Sequence, residues 1–244
     1  MKTQKISYAA SEECFFDLMI PNEEQVCGPI IVLIHGGYWR TELTNATLTP
    51  LQQKIASEGF ICCNVEYRRG KKSPWPTPLK DVRNAITQIK DRFKALSIIL
   101  IGHSVGGQLS LLNADIVDKV IGLAPVTDLI YTRDKNLGDS AVTEYYGQFA
   151  SDELLKQASP IHHLPLACSL SLIIHGANDQ RVHIETSLNY FRDNLSKKNN
   201  LDMLVLHDMP HGEIIQPQQE HISLMIQWIK KYSSFTEKEI EQKI

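Results

Sequence analysis

The stretch Ser97-Ile98-Ile99-Leu100-Ile101-Gly102-His103-Ser104-Val105-Gly106-Gly107-Gln108-Leu109 decides the fold class. It opens on a short apolar run of the kind that forms a buried strand. A G-x-S-x-G pattern follows at once, and a helical pattern continues to Ala114. The pattern alone is common. A strand, a tight turn and a helix in direct succession make it a nucleophile elbow. Such a turn is sharp, so its flanks must be small, and Gly102, Gly106 and Gly107 meet that need. Ser104 is thereby lifted above the sheet, with a helix N-terminus beneath it. The alternative is a serine that merely caps the helix.

Outward from this point, short apolar runs alternate with amphipathic stretches. Pro29–Ile34, Phe60–Val65, Ser97–Ile101, Lys119–Leu123, Leu170–His175 and Asp202–His207 read as strands. Neither of their faces is polar, as expected of a parallel sheet covered by helices on both sides. Helical patterns lie near Thr44–Glu58, Thr77–Lys94, Val105–Ala114, Ile184–Leu195 and Glu220–Tyr232. In the second, Leu79, Val82, Ile86, Ile89 and Phe93 recur at three- and four-residue intervals and build one apolar face. Pro76 and Pro78 suit its first turn, where a missing amide donor costs little. Lys5–Ala9 and Cys14–Ile20 suit an antiparallel edge hairpin.

The pattern predicts an α/β fold over 1–244 as a single domain, with a mostly parallel central sheet and helices on both faces. Val126–Pro165 breaks the alternation and holds Tyr131, Tyr145, Tyr146 and Phe149. It follows a strand at the carboxyl edge of the sheet, where ligands of open α/β sheets bind. A small cap or lid is expected over 126–165, with a helical excursion packed on the core as the alternative.

The 244 residues are 43% hydrophobic and 22% charged, the balance of an ordinary globular chain. A net charge of -3 lacks the basic excess that a nucleic-acid partner favours. The first residues lack the apolar core of a signal peptide, and no apolar run approaches the roughly 18 residues of a membrane span. Five cysteines is an odd number, and Cys62 and Cys63 are adjacent. That reads as buried thiols in the cytoplasm rather than a disulfide framework. Neither H-E-x-x-H nor paired C-x-x-C occurs, so no metal and no cofactor is expected.

A serine is a poor nucleophile without a base, and the base needs an orienting acid. Downstream of an elbow the order is acid, then histidine. The run Leu170–His175 leads into Gly176-Ala177-Asn178-Asp179, which makes Asp179 the candidate acid. Asp128, after an earlier strand, is its rival. Asp208 stands too near the base in sequence, and Asp179 has capping of the next helix as its bland alternative. The last apolar run leads through Asp208-Met209-Pro210 to His211-Gly212, and His211 is the candidate base. Among nine histidines His207 is the chief rival, at a strand end. His183 begins a helix, and the adjacent His162 and His163 point in different directions. A third feature is Ile34-His35-Gly36-Gly37-Tyr38-Trp39-Arg40, directly after the first parallel strand. Its glycines let the backbone at Gly36, Gly37 and Tyr38 face an oxyanion, with the amide of Val105 as partner.

HGGYW followed by GHSVGGQL resembles the kynurenine formamidase (arylformamidase) branch of the α/β-hydrolases, which carries HGG-x-W and G-x-S-x-G motifs in the same order. EYRRGKKSPWPTPLKDVRNAI is similar to bacterial esterase-like hydrolases with HGG-x-W. The resemblance runs from about Pro29 to the C-terminal helix. It implies an α/β-hydrolase fold, Ser104, Asp179 and His211 as the triad, and an oxyanion hole at the HGGYW turn. Tyr38 stands where lipase-type HGGG turns carry a third glycine. Tyr38 and Trp39 are candidates to line an acyl or aryl pocket or to pack the turn onto the core. Arg40 is the nearest candidate for a charged substrate group, and Glu66 is expected to pair with Arg68. The implied reaction is hydrolysis of a small ester or aryl formamide through an acyl-enzyme. A general carboxylesterase or small-peptide hydrolase is the alternative. A non-catalytic binding module is the rival from another class.

Overall fold

The apolar runs become the strands of one eight-stranded sheet in the computed structural model, which describes residues 1–22, 26–94 and 97–233. Residues 234–244 of the expected domain lie outside the described residues. The strands are β1 (Lys2–Ser7), β2 (Phe15–Ile20), β3 (Ile30–Ile34), β4 (Cys62–Val65), β5 (Ile98–His103), β6 (Lys119–Leu123), β7 (Leu170–Gly176) and β8 (Leu201–Leu206). Their order is β1-β2-β4-β3-β5-β6-β7-β8. β1 and β2 form the antiparallel edge, and β2 also runs antiparallel to β4. All further pairings are parallel.

Alternate residues of β3 explain why its sequence is apolar throughout. Ile30, Val32 and Ile34 join one buried cluster, and Ile31 and Leu33 join another. The first cluster packs against α2 (Thr77–Arg92), α3 (Val105–Leu112) and α7 (Ile184–Leu195), through Val82, Ile86, Ile89, Leu109 and Tyr190. The second takes α1 (Thr49–Ser57) and α8 (Glu220–Tyr232), through Leu51, Ile55, Ile222 and Met225. Each face of the sheet is thus covered by helices. Burying a residue such as Ile55 or Ile86 contributes about 1.5–3 kcal/mol.

Between β6 and β7 the chain leaves the alternation. It forms α4 (Leu129–Asp134), α5 (Leu137–Tyr146), α6 (Asp152–Ala158) and a short 3-10 turn at Pro160–His163. Leu129, Ala141, Val142 and Leu155 of this stretch join the first buried cluster. The expected helix at Thr44–Glu58 is divided, with a 3-10 turn at Asn45–Leu48 before α1. Thr44 caps that turn, and Pro50 sits in the first turn of α1.

Candidate active site

Ser104 sits between β5 and α3 with φ 55 and ψ -118, a left-handed backbone that an L residue adopts only at a cost of about 1–3 kcal/mol. The surroundings hold it there. Its amide donates to Leu123 O at 3.0 Å, and its carbonyl accepts from Val126 N at 3.1 Å and Gln108 N at 3.2 Å. Gly106 is required because the helix start lies against the end of β3. A Cβ at that position would come within 2.0 Å of Ile34 O.

The loops that carry Asp179 and His211 meet through another close approach. A Cβ on Gly176 would lie 2.0 Å from Met209 O, so only glycine lets the end of β7 reach the loop that carries His211. Asp179 and His211 then face each other, with Nδ1 2.7 Å from Oδ2. A carboxylate accepts, so Nδ1 carries the proton and Nε2 is left with its lone pair. The other oxygen of Asp179 accepts from the amides of Arg181 at 2.8 Å and Val182 at 3.0 Å. Burial opposes the charge of Asp179. The nearby His175 ring, the hydrogen bond from His211 and the Val182 amide outweigh it and hold the carboxyl well below its usual range. No hydrogen bond joins Ser104 and His211 directly; His211 Nδ1 is engaged by Asp179. His103 links them instead. Its Nε2–H donates to His211 O at 3.0 Å, and the two rings lie 4.7 Å apart.

The HGGYW turn lies against the elbow. A Cβ on Gly36 would be 2.9 Å from Ser104 Cβ. Gly37, Tyr38 and Trp39 all have positive φ, which folds the turn back sharply. Among the described residues, the amides of Gly37, Tyr38 and Val105 donate to no protein acceptor. Trp39 is buried, donates from Nε1 to Gln108 Oε1 at 3.2 Å and stacks on Tyr145. Tyr38 donates its ring to a different contact: its hydroxyl accepts from Arg181, and its edge lies against Gly138 of α5. Arg40 pairs with Glu144 at 2.6 Å and donates to Asp139 O at 3.1 Å. Tyr38, Trp39 and Arg40 line a cavity of about 490 Å³, and His211 lines another of about 570 Å³.

The rival residues are placed elsewhere. Asp128 caps α4 by accepting from Tyr131 N at 3.0 Å. His207 is exposed and lies 3.0 Å from Asp208, which also accepts from Asn178. His163 bonds to Gln157 O, and His183 precedes α7. The expected pairing of Glu66 with Arg68 is corrected. Glu66 pairs with Arg69 and His35, while Arg68 makes a two-pronged contact with Asp81 at 2.8 and 2.9 Å. The Arg69 side chain is buried beside Glu66, while the half-exposed Arg68 reaches Asp81 of α2. Sequence reasoning passed over His103, His175, Gln108 and Arg181. Burial and the adjacent His211 push His103 down to about 3, so its ring is neutral. His175 donates from Nε2 to Val182 O at 2.9 Å and approaches Asp179 Oδ2 at 3.5 Å. Among the described residues, no set of His, Cys, Asp and Glu side chains is grouped to hold a metal ion.

A truncated carbohydrate esterase from gut microbiota superposes with a TM-score of 0.84 at 18% identity, over 96% of each chain. The chain has the α/β-hydrolase fold. The BD-FAE family model matches residues 16–118, less than half of the chain. LipM of Mycobacterium tuberculosis, a probable carboxylic ester hydrolase, is 32% identical over 91 residues, which cover 35% of this chain and 21% of LipM. A kynurenine formamidase of Salmo salar is 25% identical over 109 residues, 43% of this chain and 36% of that enzyme. The chain thus spans about a fifth of LipM and about a third of the formamidase. The sequence matches each cover less than half of this chain, and the structural likeness, at 18% identity, is one of fold. Among the described residues no helix is long and apolar enough to cross a membrane.

Proposed function

We propose that the protein hydrolyses a small ester or aryl formamide through an acyl-enzyme, with Ser104, His211 and Asp179 as nucleophile, base and acid. The observation that carries this is the 2.7 Å contact between His211 Nδ1 and Asp179, beside a serine held on an elbow. That contact leaves His211 Nε2 to take the proton of Ser104. Ser104 Oγ attacks the carbonyl carbon, and the oxygen gains negative charge. The amides of Gly37, Tyr38 and Val105 are free to bind that charge, an effect worth about 3–4 kcal/mol for a single donor in such sites. The protonated His211 then gives its proton to the departing alcohol or amine. Water, deprotonated by the same ring, attacks the acyl-serine and releases the acid.

The stretch 126–165 serves as a cap in this reading, because Gly138 and Asp139 O contact Tyr38 and Arg40 of the oxyanion turn. Five free thiols support a reducing, cytoplasmic setting. The mechanism needs no cofactor, and a small molecule is the partner it calls for. Esters and aryl formamides share every step, so leaving-group preference separates a carboxylesterase from a formamidase.

The test is a fluorophosphonate probe followed by peptide mapping. One adduct on Ser104, absent from Ser104→Ala, is expected. An adduct that persists on Ser110 or Ser171 in that variant would move the nucleophile. Comparing kcat/KM for N-formylkynurenine, 4-nitrophenyl acetate and 4-nitrophenyl butyrate then ranks acyl groups. Efficient butyrate cleavage with no formamide cleavage would restrict the activity to carboxylesters.

A further inference from the structure

Arg181 stands two residues after Asp179, on the loop that carries the acid. Its Nη1 donates to the Tyr38 hydroxyl, so it reaches from the acid loop to the oxyanion turn. Among the described residues, no carboxylate oxygen lies within 4.0 Å of its guanidinium. Arg40 differs sharply, because Glu144 already neutralises it at 2.6 Å. Arg181 also lines the cavity of about 570 Å³ that contains His211. Asp208 and Glu213 line the same cavity. Asp208 is engaged by Asn178 and His207, and Glu213 is exposed to water.

A guanidinium has five donors in a planar fork, and it binds a carboxylate through two of them. One nitrogen of Arg181 is spent on the Tyr38 hydroxyl, and Asp139 and Asp179 act on the guanidinium only from beyond ion-pair distance, so its remaining edge has no paired carboxylate. A permanent cation in that position, beside a proton-accepting histidine, calls for an anion supplied from outside. We propose that Arg181 selects substrates that carry a carboxylate near the scissile carbonyl. The inference rests on the serine hydrolase reading of the same site and names the substrate class it favours. The carboxylate pairs with the open edge of Arg181 while the reacting carbonyl lies at Ser104. The chemical steps are unchanged, and the gain is in binding.

The experiment compares two matched pairs of esters. Mono-4-nitrophenyl glutarate and its methyl ester place the charge on the acyl side. 3-Acetoxybenzoate and its methyl ester place it on the leaving side. In at least one pair, the carboxylate form should be favoured in kcat/KM by roughly ten- to hundredfold at low salt, chiefly through KM. That ratio should fall as salt rises, because the pair is accessible to water. Arg181→Gln should bring the ratio near one, Arg181→Lys should leave it intermediate, and Arg181→Glu should invert it. A ratio at or below one in both pairs for the natural protein overturns the assignment, as does a ratio unchanged in Arg181→Gln. The salt series needs no variant, so it decides the matter even where a substitution impairs folding. Cleavage of the neutral esters without a carboxylate preference removes only the role of Arg181. No cleavage of any ester, with no fluorophosphonate adduct, removes the hydrolase reading itself.

Discussion

At the scale of single residues, Asp179 is the point where several bonds converge. One oxygen is held by two backbone amides, and the other meets His211 and lies near His175. Asp179→Asn keeps the size of the side chain but can present an amide N–H to the imidazole, which then favours the wrong tautomer. Turnover of an activated ester should drop by roughly 10⁴, the loss seen for the same change in a serine protease. The circular dichroism spectrum should be unchanged. Asp128→Asn should retain activity within a few fold, since asparagine caps a helix as well as aspartate does. The opposite pattern would make Asp128 the acid. Asp179 and His211 were legible because each ends a strand-and-turn signal in the chain. His103 and Arg181 were not, because their partners lie 108 and 143 positions away. Only the strand order brings those positions together, and no local pattern encodes it.

At the scale of elements, α3, the HGGYW turn and the 126–165 stretch are joined by one buried amide. Gln108 of α3 accepts from Trp39 Nε1 at 3.2 Å and donates to Ala158 O at 2.7 Å and Tyr146 Oη at 3.3 Å. It is wholly buried. Gln108→Leu keeps a similar volume but leaves the indole N–H and a carbonyl without partners. Each such group costs about 1–3 kcal/mol. Tm should therefore fall by roughly 5–10 °C, measured by calorimetry. A change under about 2 °C would mean that packing alone fixes the cap. The departure from βα alternation at Val126 was readable from the sequence. The path of the cap was not, because Asn136, Gly138, Asp139 and Ser140 all adopt positive φ. Only one of these is glycine, so the turn is imposed by contacts such as the Tyr38 ring against Gly138. The strands and α2 were legible for the opposite reason, since their periodicity is local.

At the scale of the whole molecule, a buried charge pair ties the core to the HGGYW turn. Glu66 and Arg69 are only 4% and 3% exposed. Glu66 accepts from Arg69, from Asn45 N at 2.9 Å and from Tyr67 N at 3.1 Å, and it lies 3.2 Å from His35 Nε2. Arg69 also donates to the carbonyls of Arg40 at 2.8 Å and Leu43 at 2.6 Å, which fixes the chain just beyond HGGYW. Burial works against the charge of Glu66. His35, Arg69 and the Asn45 amide prevail and bring the carboxyl down to about 2. A free glutamate titrates near about 4.3. Below that pH the unfolded chain takes up a proton that the folded one refuses. Stability from this group is therefore complete above about pH 4.3 and is lost as pH falls toward about 2. The amount is on the order of 3 kcal/mol. Glu66→Gln abolishes this dependence and strands a buried arginine, a loss of about 3–5 kcal/mol at neutral pH. The stability gap between the natural protein and Glu66→Gln, from urea unfolding at several pH values, should thus narrow steadily between pH 4.3 and 2. Other carboxylates titrate equally in both proteins and cancel in the difference. A gap that stays constant across that range would show that Glu66 does not hold its proton off as its contacts require.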